Sequence, residues 1–419
     1  MKAYLVGGAV RDRLLGLPVK DRDWVVVGAS VRDMVDAGFT QVGRDFPVFL
    51  HPETHEEYAL ARTERKQGKG YTGFVVHSAK DVTLEEDLKR RDLTINAMAM
   101  DETGQLIDPW QGERDLKEKT LRHVSPMFVE DPLRVLRLAR FSARFAHLGF
   151  AAHSSTTGLA REIASSGELA ELVPERVWQE TERALLEKSP QNYISCLRDC
   201  GALVEVFPEV DALFGIEQRA EHHPEIDTGL HTLLALEQSA RQNSSSAVRW
   251  AVLLHDLGKA LTPKEELPAH RNHEQRGLAA VEALCARVKC PAYHRQLALK
   301  VCGLHLKIHR AFELNPKTVV KLFEEVDLLR RPQMFSDLLA ACQADARGRK
   351  GREDAPYPQA ARLQQLASAY QTVDAGAIAK AVQTSAAKTN NPPGGIKIAE
   401  SVRRARLDAV KACVKMLEV

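Results

Sequence analysis

The stretch YLVGGAVRD, residues 4–12, followed by VKDRDWVVVG at 19–28, decides how the chain begins. KAYLV (2–6) and DWVVVG (23–28) are short, rich in β-formers and end at or beside glycine, which predicts two strands. AVRDRLLGL between them predicts a short helix stopped by Gly16 and Pro18. A strand that ends in Gly7-Gly8 and runs into a helix lets the backbone approach a ligand closely, and the helix start offers N–H groups to a phosphate. A tight strand-to-helix turn would need glycine too, so this pair alone is a weak signal. Asp21 and Asp23 sharpen it. Residues i and i+2 of a strand share a face, and two carboxylates side by side repel unless a cation sits between them. Hard oxygen ligands of this kind suit Mg²⁺, held by one or two carboxylates plus substrate phosphates. The bland alternative is a solvated turn.

Further along, FPVFLH (46–51) and EEYALAR (56–62) predict a hairpin, and KQGKGYTGF (66–74) a mobile glycine-rich loop. From about residue 84 the pattern reads as helical throughout. LKRRDLTINAMA (88–99) sets Arg90, Arg91 and Asp92 before an apolar helix carrying Asn96, and paired arginines can clamp a triphosphate. EDPLRVLRLARF (130–141) places Glu130, Asp131, Arg134, Arg137 and Arg140 on one helix, as a curved polar wall that wants anionic partners.

The whole chain sets bounds on all this. Its 419 residues, 44% hydrophobic and 27% charged, suit a globular protein of two to four domains. A net charge of +2 gives no global field for nucleic acid, so any RNA contact must come from local basic patches. There are seven cysteines, none before Cys196 and none in zinc-finger spacing, which fits a reduced cytosol. The apolar run at the start is too short for a signal peptide, and nothing approaches a membrane span. We therefore expect a cytoplasmic protein without membrane contact.

Nine of the fifteen histidines fall between 222 and 309, about three times an even share. In AVLLHDLGKA (251–260), His255 and Asp256 interrupt an otherwise apolar helix, where unpaired polar groups are costly and a metal would satisfy both. RKGREDAPYP (349–358) and AKTNNPPGG (387–395) read as linkers, and a basic helix closes the chain.

GGAVRD, the DxD at 21–23, RRDLTINA and EDPLRVLRLARF occur in this order and spacing. On them the chain closely resembles the bacterial CCA-adding enzymes, class II tRNA nucleotidyltransferases of the polymerase β-like superfamily, in their form with an appended HD domain. The resemblance implies an α+β nucleotidyltransferase head (1–125), a helical neck and body carrying the base-reading helix (126–222), an all-α HD domain (223–348) and a helical tail (349–419). It implies Asp21 and Asp23 as catalytic Mg²⁺ ligands and Glu57 as a third acidic group. Gly8, Arg11, Arg91, Arg137 and Arg140 would contact CTP or ATP, while Asp131 and Arg134 would read the base. Cytosine and adenine share an amine donor beside a ring-nitrogen acceptor, which a carboxylate and a guanidinium match and uracil or guanine do not. VPERVWQE (173–180) would support that helix through Arg176 and Glu180.

HD phosphohydrolases carry the pattern H…HD…D, which His231, His255, Asp256 and Asp345 follow in order. His270, His273 and His305 are expected as further ligands or phosphate contacts. The implied activities are metal-dependent 2′,3′-cyclic phosphodiesterase, 2′-nucleotidase and phosphatase, with a transition metal such as Ni²⁺ favoured by mixed His/Asp ligation. The partners implied are tRNA, CTP and ATP, for a monomer or homodimer, with late basic residues such as Arg295, Lys307, Arg403 and Arg406 on RNA-facing or merely solvated faces. Two rival readings are a poly(A) polymerase sharing the head motifs and an HD hydrolase whose head only binds RNA.

Overall fold

The computed structural model describes residues 1–42, 48–66, 74–387 and 395–418. The glycine-rich stretch 67–73 and the linker at 388–394 lie outside the described residues. The chain divides into two compact units, Met1–Asp211 and Ala212–Val419.

The first unit begins with a mixed sheet. Its strands are β1 Lys2–Val6, β2 Asp23–Val27, β3 Thr40–Gln41, β4 Val48–Leu50, β5 Glu57–Leu60, β8 Ala99–Met100 and β9 Leu106–Ile107, in the order β3-β4-β5-β2-β1-β8-β9. A separate hairpin pairs β6 Thr63–Lys66 with β7 Phe74–His77. The expected strands at 2–6 and 23–27 are there, antiparallel, with the short helix Gly8–Leu14 between them. β2 is parallel to β5, and β4 and β5 form the expected hairpin. Alternation puts Val6, Val25 and Ala61 into one core beside Leu88 and Ala97, and Val26, Phe49 and Leu60 into another with Met34.

Three expectations need correction here. The chain is not helical throughout from 84: it returns to the sheet at β8 and β9, where β8 pairs with β1. Ala97, Met98 and Ala99 are fully buried, and periodicity cannot separate such a run from a helix. Asn96 therefore sits on a single 3₁₀ turn, Thr94–Asn96. Asp131 is not on the arginine helix. It is extended, and the helix runs Leu133–Phe145, with the Asp131 carboxylate accepting the Leu133 N–H at 3.0 Å. Helices Pro174–Leu185 and Gln191–Asp199 pack against that helix.

The second unit is helical. Ser246–Leu254 is buried on nearly every side and packs against Thr228–Arg241, Ala292–His309 and Pro332–Arg347, as an apolar helix must. It stops before the His255-Asp256 pair, so that pair does not interrupt it. His255 caps the helix, and Asp256 opens the 3₁₀ turn Leu257–Leu261. Gly258 lets this turn press on helix His273–Arg287: a Cβ there would collide with the His273 carbonyl oxygen. The closing helix Gly395–Leu417 packs on Pro316–Glu325 and Pro358–Gln371. Arg403 there pairs with Glu324 at 2.8 Å, and all seven thiols are free.

Candidate active sites in the two units

In the first unit the sheet register places the acidic groups. Val6, Asp23 and Glu57 are register partners across β1, β2 and β5, so both carboxylates stand in one row beside the Gly7 turn. Gly7 has φ 68, which favours glycine, and a Cβ there would also press on Arg91 Nη1 at 2.8 Å. Asp21 precedes the strand instead of lying on it, and it is exposed. It is still close enough to act on Asp23. The Asp23 carboxyl is raised above its ordinary range, by burial first and by Asp21 as well, with Arg91 opposing. Among the described residues none of the three carboxylates makes an ion pair. Acidic groups left without an ion pair, Asp23 among them partly desolvated, fit a divalent cation.

Beside that row lies a cavity of about 540 Å³ lined by nine arginines, three aspartates, Asn96 and the Gly7-Gly8 backbone. The expected residues Gly8, Arg11, Asp23, Arg91, Asp131, Arg134, Arg137 and Arg140 all border it; Asp21 and Glu57 do not. Arg62, Arg90, Arg144 and Arg176 also line it, and sequence reasoning singled out neither Arg62 nor Arg144.

The arginines are held by a connected network. Arg11 donates to Asp12 at 2.8 Å and to the Asn96 amide oxygen. Asn96 in turn donates to Asp92 at 3.0 Å, and Arg137 donates to the other Asp92 oxygen at 2.8 Å. Arg140 donates to Glu180 at 2.6 Å, with Arg137 3.8 Å from the same carboxylate. Arg144 reaches Asp12 at 2.8 Å. Arg134 donates to the backbone carbonyls of Met127 and Arg90, which fixes its plane. Asp131 lies 3.9 Å from Arg176. Burial alone would raise the Asp92 carboxyl, but Arg137 and its hydrogen bonds override burial and hold it well below the usual range.

The second unit brings the expected HD residues together. His231 Nε2 lies 3.0 Å from Asp345 Oδ1, and His255 Nε2 lies 3.1 Å from Asp256 and 3.7 Å from Asp345. His273 and His305 approach Asp256 Oδ1 at 3.1 and 3.7 Å. Two groups of buried donors result, His231–His255–Asp345 and Asp256–His273–His305. His270 lies apart from both groups and bonds Thr262 and the Glu217 carbonyl. His309, which sequence reasoning left unassigned, meets Asp345 at 2.6 Å; its spacing of four from His305 on one helix was the available signal. Lys259 adds an ion pair to Asp256 at 2.6 Å.

Metal fitness can be judged from the protons. His255, His273 and His305 each donate Nδ1–H to a backbone carbonyl, which leaves Nε2 as the acceptor wherever the ring is neutral. Yet His273 Nε2 and His305 Nε2 stand 3.1 Å apart, beside Asp256 Oδ1. Lone pairs converge there, and an extra proton or a metal cation must sit among them. Asp256 Oδ1 and His255 Nε2 are buried without a hydrogen-bond partner. Burial lowers His255, but Asp256 and Asp345 outweigh it and hold the imidazole up at about 9; burial pushes His305 down to about 3. The donor set fits a divalent transition metal.

Comparison with known proteins places this architecture. Residues 3–122 match the poly A polymerase head domain, and 149–214 match the probable RNA and SrmB-binding site of polymerase A. Solved structures share the fold: the Bacillus stearothermophilus CCA-adding enzyme in complex with CTP has a TM-score of 0.63 at 23% identity, covering 98% of this chain and 89% of that one. The Thermotoga maritima CCA-adding enzyme complexed with tRNA has a TM-score of 0.61 at 19% identity, covering 99% and 91%. The class is thus a nucleotidyltransferase-type head on a helical body. The multifunctional CCA protein of Thioalkalivibrio sulfidiphilus is 61% identical over 86% of this chain and 88% of its own length. That of Laribacter hongkongensis is 55% identical over the full length of both. The chain belongs to the multifunctional CCA protein family. Among the described residues no helix is long and apolar enough to cross a membrane.

Proposed function

We propose that the chain adds and repairs the 3′-terminal CCA of tRNA from CTP and ATP, without a nucleic-acid template. The observation that carries this is the arginine-lined cavity beside the Asp23–Glu57 row. Nine guanidinium groups against three carboxylates suit a triphosphate. Asp21 and Asp23, with Glu57 beside them, would hold Mg²⁺. The ion supplies charge stabilisation at the reacting phosphate and a more nucleophilic 3′-hydroxyl.

The rest falls to the chain's own groups. Gly8 and Arg11 border the phosphates, and Arg91, Arg137 and Arg140 hold them in a frame that Asp92 and Glu180 keep rigid. Asp131 accepts from the exocyclic amine of cytosine or adenine and Arg134 donates to the ring nitrogen. Uracil or guanine leaves both unpaired, which discriminates by orders of magnitude. In this reading residues 1–125 are the head, 126–222 the neck and body, 223–348 the HD domain and 349–419 the tail, working in the cytoplasm.

The second unit supports a second reading, carried by the converging imidazole nitrogens around Asp256. We propose a metal-dependent phosphohydrolase acting on 2′,3′-cyclic phosphates and 2′-nucleotides. His231, His255, Asp256 and Asp345 would hold a transition metal such as Ni²⁺, and His273 and His305 would add donors.

The test is incorporation of labelled CTP and ATP, singly and together, into tRNA lacking its 3′ CCA, read at single-nucleotide resolution. Two C residues from CTP and one A when ATP follows are expected. Long A tails from ATP alone would instead identify a poly(A) polymerase.

A further inference from the structure

Three imidazoles of the histidine–aspartate centre are oriented by the backbone. His255 donates its Nδ1–H to the Val252 carbonyl at 2.7 Å and His273 to that of His270 at 2.8 Å; His305 meets the Val301 and Cys302 carbonyls at 3.1 and 3.0 Å. His231 is the exception. Its Nε2–H hydrogen-bonds Asp345 Oδ1 at 3.0 Å, and its buried Nδ1 stands 2.9 Å from Glu225 Oε1 without a well-formed hydrogen bond. The same oxygen lies 3.1 Å from His223 Nδ1. We infer that Glu225 is a positioning residue of this centre: when a divalent cation beside Asp345 displaces the Nε2 proton of His231, the Glu225 carboxylate 2.9 Å away would accept the Nδ1–H and so hold Nε2 toward the cation.

Two independent features point the same way. The Glu225 side chain is only 3% exposed, and its second oxygen accepts the Lys350 N–H at 3.3 Å. Among the described residues it has no lysine or arginine ion-pair partner. A buried carboxylate facing imidazoles alone is costly, unless those imidazoles carry positive charge or a cation lies just beyond them. A carboxylate–histidine–metal relay meets that need and makes the histidine a better ligand.

The backbone supplies the second feature. Ile226, next in the chain, has φ 61 and an exposed side chain. A β-branched residue in the left-handed region is strained, and such strain collects at functional sites. Here the turn is pinned by Ile226 N–H to the His223 carbonyl and Gln218 N–H to the Ile226 carbonyl. The strained turn leaves Ile226 outside while Glu225 points inward. His223, Glu225 and His231 form a donor cluster of their own. A cation there would claim His231 Nδ1 while Nε2 serves Asp345, so one ring would bridge two metals; a hydrogen bond from Nδ1 avoids this.

The inference rests on the metal-centre reading given above. The test uses the full chain, stripped with chelator and titrated with Ni²⁺ and Mn²⁺ by calorimetry, as wild type, Glu225→Gln and Glu225→Ala. Glutamine keeps an acceptor oxygen and loses the charge. Glu225→Ala is expected to weaken the affinity about 10–100-fold at unchanged stoichiometry, and Glu225→Gln to fall between it and wild type. CCA addition and the metal-free melting temperature of Glu225→Gln should match wild type. Equal affinities in all three proteins would overturn the positioning role, and so would loss of one metal equivalent in Glu225→Ala, which would make Glu225 a ligand. Absence of metal uptake by wild type is a different result: it would defeat the metal-centre reading itself and this inference with it.

Discussion

Asp92 and Arg137 are 45 positions apart in the chain and 2.8 Å apart in space. Asp92 belongs to the RRD run that precedes β8, and Arg137 to the helix Leu133–Phe145. Through Asn96 the same carboxylate also reaches Arg11. Three arginines that border the cavity, Arg11, Arg137 and (through Glu180) Arg140, are thereby set in one hydrogen-bonded frame. Guanidinium groups placed before a phosphate arrives need no reorganisation when it does.

Asp92→Asn should loosen that frame. The fold should lose about 2–3 kcal/mol at neutral pH, the scale of a buried hydrogen bond to a charged group. kcat/KM for CTP and ATP should fall on the order of 100-fold through misplaced Arg137. The pH dependence has a definite sign. The Asp92 carboxyl is depressed in the folded state, so its stabilisation is present above the unfolded carboxyl value near 4 and is lost as pH falls below it. Denaturant midpoints of wild type and the Asp92→Asn variant should therefore draw together progressively as pH falls below about 5. Parallel curves would show that the pair contributes nothing to stability.

Asp21→Ala tests the acidic row. Asp21 is exposed and outside the strand, so the melting temperature should be unchanged. Nucleotide addition should fall on the order of 1,000-fold or more, since several kcal/mol of charge stabilisation depend on it. Incorporation persisting in this variant would show that Asp21 holds no catalytic ion.

Much of the head was legible because its signals are local. KAYLV and DWVVVG carry β-formers with glycine stops, and the glycine pair marks a turn that favours glycine. β8 and β9 were not legible. Two residues each show no period, and Ala99–Met100 becomes strand by pairing with the edge of β1. Asp131 read as helical because Pro132 and the following arginines carry the helix pattern, whose start falls two residues later. In the second unit the histidine excess announced a site, and His231, His255, Asp256 and Asp345 do converge. Glu225 was invisible: nothing local distinguishes it from a surface glutamate, and its partner His231 is fixed by tertiary packing.

Gly258→Ala should damage the second centre without touching a ligand. The added methyl would run into the His273 carbonyl oxygen and fall 2.7 Å from Gly277 N, both backbone atoms that cannot swing aside. The turn carrying Asp256 must then part from the helix that starts at His273. Overpacking of this kind costs about 1–3 kcal/mol. Ni²⁺ affinity should drop while CCA addition is kept, measured on one preparation. Unchanged metal affinity would show that the approach of turn to helix does not set the donor geometry.

His255→Ala should separate the two proposed activities. His255 lies in the second unit, and its buried Nε2 lies between Asp256 and Asp345 without a hydrogen-bond partner. Its removal leaves two buried aspartates with one fewer imidazole to offset them, so metal affinity should fall with the lost ligand. Ring opening of a 2′,3′-cyclic nucleotide to its monoester, and phosphate release from a 2′-nucleotide, should disappear. Addition of C, C and A to shortened tRNA should continue at the wild-type rate, because the arginine cavity and the Asp23–Glu57 row belong entirely to the first unit. Parallel assays of both activities, with the melting temperature as a check on folding, give the answer. Loss of both in a folded variant would mean that the centres are coupled, and hydrolysis surviving in it would remove His255 from the second site.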